Sequence, residues 1–398
     1  MFPIPEKLAQ LCKLLDAPGS AGEIAVDMDV VNLARRHRVE PLLYAQLSCA
    51  ESRVPVAEQA MATLEQDYRA NILRIAKYVS HFREITQALA AEGIEARPLK
   101  GLPLAEQAYQ RIADRHCGDL DLLIESNRSR AKADAIVQSL GMVPMRPKMT
   151  ASALSVFRAA NKDDNYLTSD DTRIELHYSA HGFGRHVFPR FTSFDSPAWE
   201  TCSIDSMGTY RLHGIELVVY LLSHGTRSAW HRLKWLLDLR RLTRHYDAAQ
   251  WTAVMNVAKK ARCDRQTAIG LHVLAGFFGA SSVDPLPKEP RFHDYAYLQC
   301  RKALERTPLP GPMRPLAQET ESKLYSVLLM QGWPATCAAI LKVLIRSHDI
   351  ARLRLPVIGI FLLAPFIRIA SFGHRRVLRP MLHAILRHPD RPLPHKSH

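Results

Sequence analysis

Apolar residues recur at helical spacing through the first part of the chain. Between residues 57 and 91 this spacing runs without a glycine or proline, which predicts one long helix that Gly93 ends. The pattern then changes to short apolar runs, and strands are predicted at 94–99, 119–124, 165–168 and 173–178. Helices are predicted between these strands at 102–109 and from Ser126 or Asn127, as N-cap, to Leu140, closed by Gly141.

Helical spacing returns after about residue 210. Helices are predicted over 215–224, 231–245, 248–261 behind Asp247 as N-cap, and 265–278. The changes of pattern divide the chain into a helical region over 1–93, an α/β core over 94–210, a helical domain over 211–330 and a basic, apolar helical segment over 331–398. The fold class expected is therefore α+β, a small mixed sheet flanked by helical parts.

The chain has 398 residues, and 53 Lys and Arg against 39 Asp and Glu give a net charge of +14. This excess favours a polyanionic partner such as a nucleotide, a nucleic acid or an anionic lipid. Residues 331–398 hold 11 Lys and Arg against two Asp and Glu, so most of the excess lies there. We expect this segment to pack on the core with its arginines outward; a peripheral membrane contact and a protein or RNA contact remain alternatives.

The seven cysteines are scattered, odd in number and never spaced as CxxC. This pattern argues against a disulfide framework and a zinc ribbon, and it favours a reducing compartment. The first residues show no signal-peptide pattern, and the longest uncharged apolar run, 355–367, is too short to span a bilayer. A cytoplasmic location, possibly peripheral to the membrane, is the expectation.

The strand predicted at 119–124 carries the sharpest chemical signal. Side chains alternate between the faces of a strand, so Asp119 and Asp121 project together, about 7 Å apart, while Leu120 and Leu122 face the core. Two such carboxylates suit Mg²⁺, a hard cation that prefers oxygen ligands. A D-x-D pair is also expected about once by chance in a chain of this length.

Two further segments give this pair a context. Lys100 and Gly101 fall at a predicted strand-to-helix junction, where a glycine lets backbone N–H groups approach a phosphate; a tight turn with a solvated lysine is the structural alternative. On the strand at 173–178, Glu175 shares a face with Arg173 and His177. If this strand pairs beside the first, Glu175 completes a cluster of three carboxylates; otherwise it forms an ion pair with Arg173.

Other nucleotide and metal motifs are not supported. Glu175, His177 and His181 could form a zinc site only on a helix, and no HExxH is present. The chain has neither the GxGxxG of a dinucleotide-binding fold nor the GxxxxGK[ST] of a P-loop, and the glycines at 182–184 match neither.

Several segments in order resemble the uncharacterised bacterial nucleotidyltransferases of the DNA-polymerase-β-like superfamily. The match runs from about residue 31 to 242, a little over half the chain, and the combination of segments in this order is specific. The matching segments are Leu33-Ala34-x-x-His37-x-Val39-x-Pro41, Leu99-Lys100-Gly101, Arg115-x-x-Gly118-Asp119-Leu120-Asp121, Ile174-Glu175-Leu176-His177, His224-Gly225 and Trp230-x-x-x-Lys234-Trp235-Leu236-x-Asp238.

The resemblance implies a role for each matched residue. Asp119, Asp121 and Glu175 would bind catalytic Mg²⁺ (or Mn²⁺), and Lys100 and Gly101 would meet the triphosphate of the substrate NTP. Arg115 and Gly118 would belong to the same nucleotide-binding set. Lys234 and Asp238, one helical turn apart, would face the site as catalytic residues; an i,i+4 ion pair between them is the structural alternative.

The sequence departs from the family pattern twice. Lys100-Gly101-Leu102-Pro103 stands where the superfamily usually has Gly-Ser or Gly-Gly, and Glu175 stands where aspartate is commoner. The leading hypothesis is transfer of a nucleoside monophosphate from an NTP to an acceptor, which could be a small molecule, a peptide or RNA. The alternatives are a non-catalytic nucleotide-binding adaptor, which recruits a partner or membrane through the basic C-terminal helices, and phosphoryl transfer.

Overall fold

A computed structural model describes most of the chain. The described residues are 4–16, 24–49, 52, 54–125, 127–179, 193–305, 316–344, 350–351, 353, 355–360, 362–363, 366 and 370. The chain forms two compact units: the larger contains Met1–Met145 and Lys162–Ala339, and the smaller contains Arg146–Asn161 and Ile340–His398.

Helices predominate within the described residues. They are α1 (Glu6–Asp16), α2 (Met28–His37), α3 (Glu40–Leu47), α4 (Glu58–Ala91), α5 (Leu102–Ala108), α6 (Arg130–Ser139), α7 (Ala151–Ala160), α8 (Gly214–Arg227), α9 (Leu233–Leu242), α10 (Ala248–Lys260), α11 (Asp264–Phe278), α12 (His293–Glu305), α13 (Leu316–Leu328) and α14 (Trp333–Leu344). The strands are β1 (Ala96–Pro98), β2 (Leu120–Ile124), β3 (Val143–Pro144), β4 (Asp163–Leu167), β5 (Arg173–His177), β6 (Trp199–Ile204) and β7 (Met207–Leu212).

Five strands form a mixed sheet in the order β1-β2-β5-β4-β3. Strands β2 and β5 are parallel, whereas the other neighbouring pairs are antiparallel. Strands β6 and β7 form a separate antiparallel hairpin. The α+β class predicted from the sequence is confirmed, and the four apolar runs predicted as strands correspond to β1, β2, β4 and β5.

One face of the sheet belongs to a buried core. Leu120, Leu122 and Ile124 of β2 join Ile174 and Leu176 of β5 in this cluster. The helices that cover this face contribute the buried residues Phe82, Ile85 and Leu89 of α4 and Ala133 and Val137 of α6. Because side chains alternate along a strand, residues 121, 175 and 177 lie on the opposite face, which leaves that face for polar groups.

The predicted helix ends are mostly found. Gly93 follows α4 with φ of 71°, a conformation that favours glycine after a helix. Asp247 caps α10 in a reciprocal capping box with Gln250. The predicted cap of α6 is wrong at Asn127, because residues Asn127–Ser129 form a 3₁₀ turn and α6 starts only at Arg130; Ser126 lies outside the described residues.

The sequence did not predict α7 or the β6–β7 hairpin. In the smaller unit, Thr150 caps α7 by accepting from the backbone N–H of Ala153, and its hydroxyl donates to the carbonyl of Leu353 at 2.8 Å. Ile350 and Ile360 pack against α7 in this unit. Within the described ranges, no helix is long and apolar enough to cross a bilayer. The packing expected for the C-terminal segment, and the membrane, protein or RNA contact that remains its alternative, depend on arginines outside these ranges: Arg352, Arg354, Arg368, Arg375, Arg376 and Arg379.

Candidate active site

The polar face of the sheet is built by the register of β2 and β5. In this parallel pair Asp121 lies opposite Glu175, and Leu123 lies opposite His177. The Nε2 atom of His177 is 2.9 Å from Oδ1 of Asp121 and 3.5 Å from Oε2 of Glu175. Ligand atoms of the three side chains all lie within 4.8 Å of one another. This group offers two carboxylates and an imidazole to one divalent ion.

Lys100 lies beside the same group because β1 runs antiparallel to β2. The backbone N–H of Leu99 donates to the carbonyl of Asp121, which brings the next residue over the carboxylates. The Lys100 ammonium is 2.6 Å from Oδ2 of Asp121 and 3.5 Å from Oδ1 of Asp119. The carboxylates flanking Leu120 therefore share one buried cation, and Asp119 is the more exposed of the two.

The ionisation states follow from this arrangement. Burial alone would raise the pKa of Asp121, but the Lys100 ammonium and the His177 ring outweigh it and hold that pKa well below its usual range. Burial and the charge of Lys162 act against protonation of His177, whereas Asp121 and Glu175 favour it, and the pKa of His177 is raised. The ring is therefore held between acids on one side and Lys162, 2.8 Å from Nδ1, on the other.

Gly101 and Gly118 bring backbone close to Asp119. Gly101 has φ of 80°, a conformation that favours glycine, and a side chain at this position would lie 3.7 Å from the carbonyl of Asp119. Gly118 directly precedes Asp119, and a methyl group added there would overlap the guanidinium of Arg38. Both predicted glycines thus border the carboxylates.

Arg115 forms a buried ion pair with Asp238. Its Nε and Nη2 donate to the two carboxylate oxygens of Asp238, at 2.9 and 2.8 Å, and both side chains are buried. The hydroxyl of Tyr109 donates to the same carboxylate at 2.8 Å. Burial lowers the pKa of Arg115, but the Asp238 carboxylate outweighs this and raises it. The pair fastens α9 to the segment that leads into β2.

Lys234 has different surroundings on the same helix. Its ammonium donates to the carbonyl of His116 at 3.1 Å. Burial, together with the positive charges of Arg115 and Arg38, lowers the pKa of Lys234 to about 7. The i,i+4 ion pair considered between Lys234 and Asp238 is not formed, because Asp238 is bonded to Arg115.

Helix α8 brings a further row of side chains to the carboxylates. Tyr220 and His224 are separated by one turn, and their ring centroids are 5.9 Å apart. Burial raises the pKa of Tyr220, while the charges of Lys100 and Asp121 act on it in opposite directions. Burial and the charge of Lys100 hold the pKa of His224 well below its usual range. The His224 ring also meets Trp235 of α9 edge-on, at 5.4 Å. Uncharged aromatic groups therefore border the charged cluster.

The comparison with family models matches residues 27–279 to a family described as "uncharacterised nucleotidyltransferase". The matched region covers more than half of the chain and contains every residue of the site described above. The chain belongs to this nucleotidyltransferase family. Comparisons with curated proteins and with solved structures give no match. Family membership supports transfer of a nucleoside monophosphate as the class of activity.

The structure of this nucleotidyltransferase adds residues that the sequence interpretation did not assign to the site. His177 lies on the predicted face of β5 and could have been selected by its alternation with Glu175. His224 stands in a segment that matches the family, and Tyr220 precedes it by one helical turn. No sequence pattern indicates that Arg38 belongs to the site, because its contact with Gly118 joins distant parts of the chain.

His37 has a structural role in this nucleotidyltransferase. Its Nδ1 accepts a hydrogen bond from the backbone N–H of Leu233, the first residue of α9, at 3.2 Å, and the ring is fully buried. This bond satisfies a helix N-terminal donor that would otherwise have no partner. His37 therefore fixes the start of the helix that carries Lys234 and Asp238.

This bond predicts that acid destabilises the nucleotidyltransferase. Burial and the charges of Arg36 and Arg232 lower the pKa of His37 from 6.5 to about 3. Since the unfolded state binds more protons between these values, stability is complete above pH 6.5 and is lost as the pH falls. Urea unfolding should show a loss of about 2 kcal/mol from this group between pH 7.5 and pH 5.

The matched variant is His37→Asn, which keeps an acceptor near Nδ1 and does not titrate. Its free energy of unfolding should depend less on pH over this interval than that of the wild type. Equal pH dependence in the two proteins would show that His37 is not the group responsible.

Proposed function

We propose that the chain is a divalent-metal-dependent enzyme of the DNA-polymerase-β-like superfamily that transfers a nucleoside monophosphate from an NTP to an acceptor. The observation that carries this proposal is the parallel pairing of β2 and β5, which sets Asp121 beside Glu175 with His177 in contact with both. Like charges held this close are stabilised by positive charge, and a divalent ion would add to the charge that Lys100 already supplies. The acceptor classes open to it are a small molecule, a peptide and RNA.

The donor set fits Mg²⁺ or Mn²⁺. Asp121, Glu175 and His177 would hold the ion, with Asp119 available just before β2, two residues from Asp121. The bound ion would stabilise negative charge that develops on the phosphate oxygens and increase the acidity of the acceptor hydroxyl. The ammonium of Lys100 between Asp119 and Asp121 supports this fit, because it shows these carboxylates arranged around positive charge.

The protein's own groups have distinct parts in this reaction. The acceptor oxygen forms a bond to the α-phosphorus as the bond to pyrophosphate breaks, and the acceptor's proton leaves toward the carboxylate cluster. Lys100 keeps Asp121 ionised and, with Gly101, lies where the triphosphate charge must be balanced. The buried Arg115–Asp238 pair positions the segment that carries Gly118 and Asp119 rather than touching the substrate.

One observation favours a second candidate. Lys100 is a permanent cation within 3.5 Å of both aspartates, so it could replace a metal ion and leave a protein that binds a nucleotide without turnover. In that case the protein would act as an adaptor, and partner binding would be its function. The two candidates differ in whether product forms when an NTP is supplied.

The test is incubation of the full chain with each α-labelled NTP, Mg²⁺ or Mn²⁺, and fractionated lysate from the source cells. Nucleotidyl transfer predicts that α-label enters an acceptor, whereas phosphoryl transfer would mark the acceptor from γ-labelled NTP instead. Asp119→Asn should lower the rate by about 100-fold or more while the thermal unfolding temperature stays unchanged, because Asp119 is partly exposed.

The matched control is Asp294→Asn, since the Asp294 side chain is 93% exposed and lies outside the site. This variant should transfer label at the wild-type rate. Binding of NTP without label transfer under all these conditions would favour the adaptor. Wild-type activity in Asp119→Asn would exclude the proposed carboxylate mechanism.

A further inference from the structure

Arg38 follows the N-terminal helix α2, and its guanidinium lies at Gly118, just before β2. It follows α2 with φ of 58° and ψ of 44°, and its backbone N–H bonds back to the helix. Its guanidinium packs on Gly118: a methyl group added at Gly118 would overlap Nη1 and lie 3.2 Å from Cζ and 3.7 Å from Nη2. The guanidinium therefore occupies the space that a side chain at 118 would fill, at the residue before Asp119.

Charges of both signs act near Arg38: Arg115 and Arg38 lower the pKa of Lys234, whereas Asp119 and Asp238 raise it. The charge of Arg38 acts on Lys234 and on Arg232, and both of these side chains are cations. Glu40, an acid of this region, is bonded to His116 at 2.7 Å. Among the described residues, no carboxylate lies within ion-pairing distance of the Arg38 guanidinium or of the Lys234 ammonium. Asp119, whose charge acts on Lys234, has Lys100 as its ion-pair partner.

A half-buried guanidinium and a buried ammonium repel each other, and no ion pair with a described carboxylate offsets their lost hydration. A bound oxyanion would supply the negative charge that offsets the repulsion and the hydrogen-bond acceptors that replace the lost hydration. The planar guanidinium of arginine presents paired N–H donors that match the oxygens of a phosphate, and the ammonium adds a point charge. Because Gly118 has no side chain, the guanidinium has room beside the backbone at this residue.

We propose that Arg38 and Lys234 form a phosphate-binding subsite beside Gly118. The subsite deepens the proposed function, because it takes a phosphate group of a substrate of that same site. Two substrates could supply this phosphate: the triphosphate of the NTP, or a phosphate group on the acceptor. The subsite itself requires anion binding only and does not require turnover.

The test uses Arg38→Gly and measures binding by calorimetry in the full chain. Glycine prefers the backbone conformation that Arg38 adopts, so the thermal unfolding temperature should be equal to or above that of the wild type. The matched control is Arg262→Gly, since Arg262 has φ of 57° and is exposed outside the site. The control should share the effect on stability and leave anion binding unchanged.

The probes are inorganic pyrophosphate with Mg²⁺, and inorganic phosphate in the presence of a non-hydrolysable NTP with Mg²⁺. If the NTP supplies the phosphate, Arg38→Gly weakens pyrophosphate binding by about 10-fold or more. If the acceptor supplies it, pyrophosphate binding is unchanged and phosphate binding weakens by a similar factor. Unchanged binding of both probes would overturn the subsite.

A second variant tests the same geometry without removing the arginine. Gly118→Ala should displace the guanidinium and weaken binding of the same probe as Arg38→Gly, and the double variant should bind no more weakly than Arg38→Gly alone. Additive losses would contradict the proposed contact. Failure of the label-transfer experiment would remove the proposed enzymatic function, whereas these binding measurements would still decide on the subsite.

Discussion

Asp238→Asn is expected to lower the free energy of unfolding by about 3–5 kcal/mol, since it leaves a buried arginine without its counterion. The Asp238 side chain is fully buried, and both of its oxygens accept from Arg115. Tyr109 donates to the same carboxylate, so asparagine would also lose or reorient that bond. Urea unfolding of wild type and variant at pH 7.5 would measure the difference.

The matched control is Asp67→Asn. Asp67 forms an equally regular bidentate pair with Arg35, at 2.6 and 2.9 Å, but both partners are partly exposed. Exposed pairs of this kind stabilise proteins by about 1 kcal/mol or less, so the control should lose no more than that. Equal losses in the two variants would show that burial does not determine the strength of the Arg115–Asp238 pair.

A double variant separates the pair from the packing around it. Replacing Arg115 by methionine together with Asp238 by leucine removes both charges and keeps apolar volume. Such replacements recover much of the stability that a single replacement loses. If the double variant folds but lacks activity, the pair acts by positioning the segment at 115–119, as proposed.

The strand pattern explains how much of this site could be predicted. Alternation placed Asp119 with Asp121 and Glu175 with His177, and it did so from local sequence alone. The pairing of β2 with β5 depends on a crossover between distant segments, so the sequence allowed it without requiring it. The register that sets Asp121 opposite Glu175 is a property of the folded sheet.

Helix α9 shows why partners could not be predicted. An i,i+4 spacing made an ion pair between Lys234 and Asp238 reasonable. In the structure, Arg115 approaches Asp238 from another segment with two hydrogen bonds, a stronger arrangement than a single lysine provides. Lys234 is then left with a backbone carbonyl, and no local pattern encodes that outcome.

Lys234→Met is expected to stabilise the protein by about 3 kcal/mol at pH 7. The pKa of Lys234 falls from 10.5 to about 7, which corresponds to roughly 4–5 kcal/mol of lost stability when the amine is charged in the unfolded chain. Methionine removes this cost but also the bond to the carbonyl of His116, worth about 1 kcal/mol. Urea unfolding at several pH values measures the net effect.

The pH dependence gives this prediction its sign. The unfolded state binds more protons than the folded state between pH 7 and pH 10.5, so wild-type stability rises with pH over that interval. The gain from Lys234→Met should therefore be greatest below pH 7 and disappear toward pH 10.5. The exposed Lys260 provides the control, because Lys260→Met should produce no such dependence. If Lys234→Met does not raise the free energy of unfolding at pH 7, the charge of Lys234 is balanced by other groups of the folded protein.

A lysine that lowers the stability of the free protein is explained if a ligand supplies the missing negative charge. Binding of an anion to the folded state alone raises apparent stability, and the rise is larger where the anion neutralises a buried cation. Pyrophosphate with Mg²⁺ should therefore raise the unfolding temperature of the wild type more than that of Lys234→Met. Equal shifts of the unfolding temperature in the two proteins would show that the charge of Lys234 does not contribute to pyrophosphate binding.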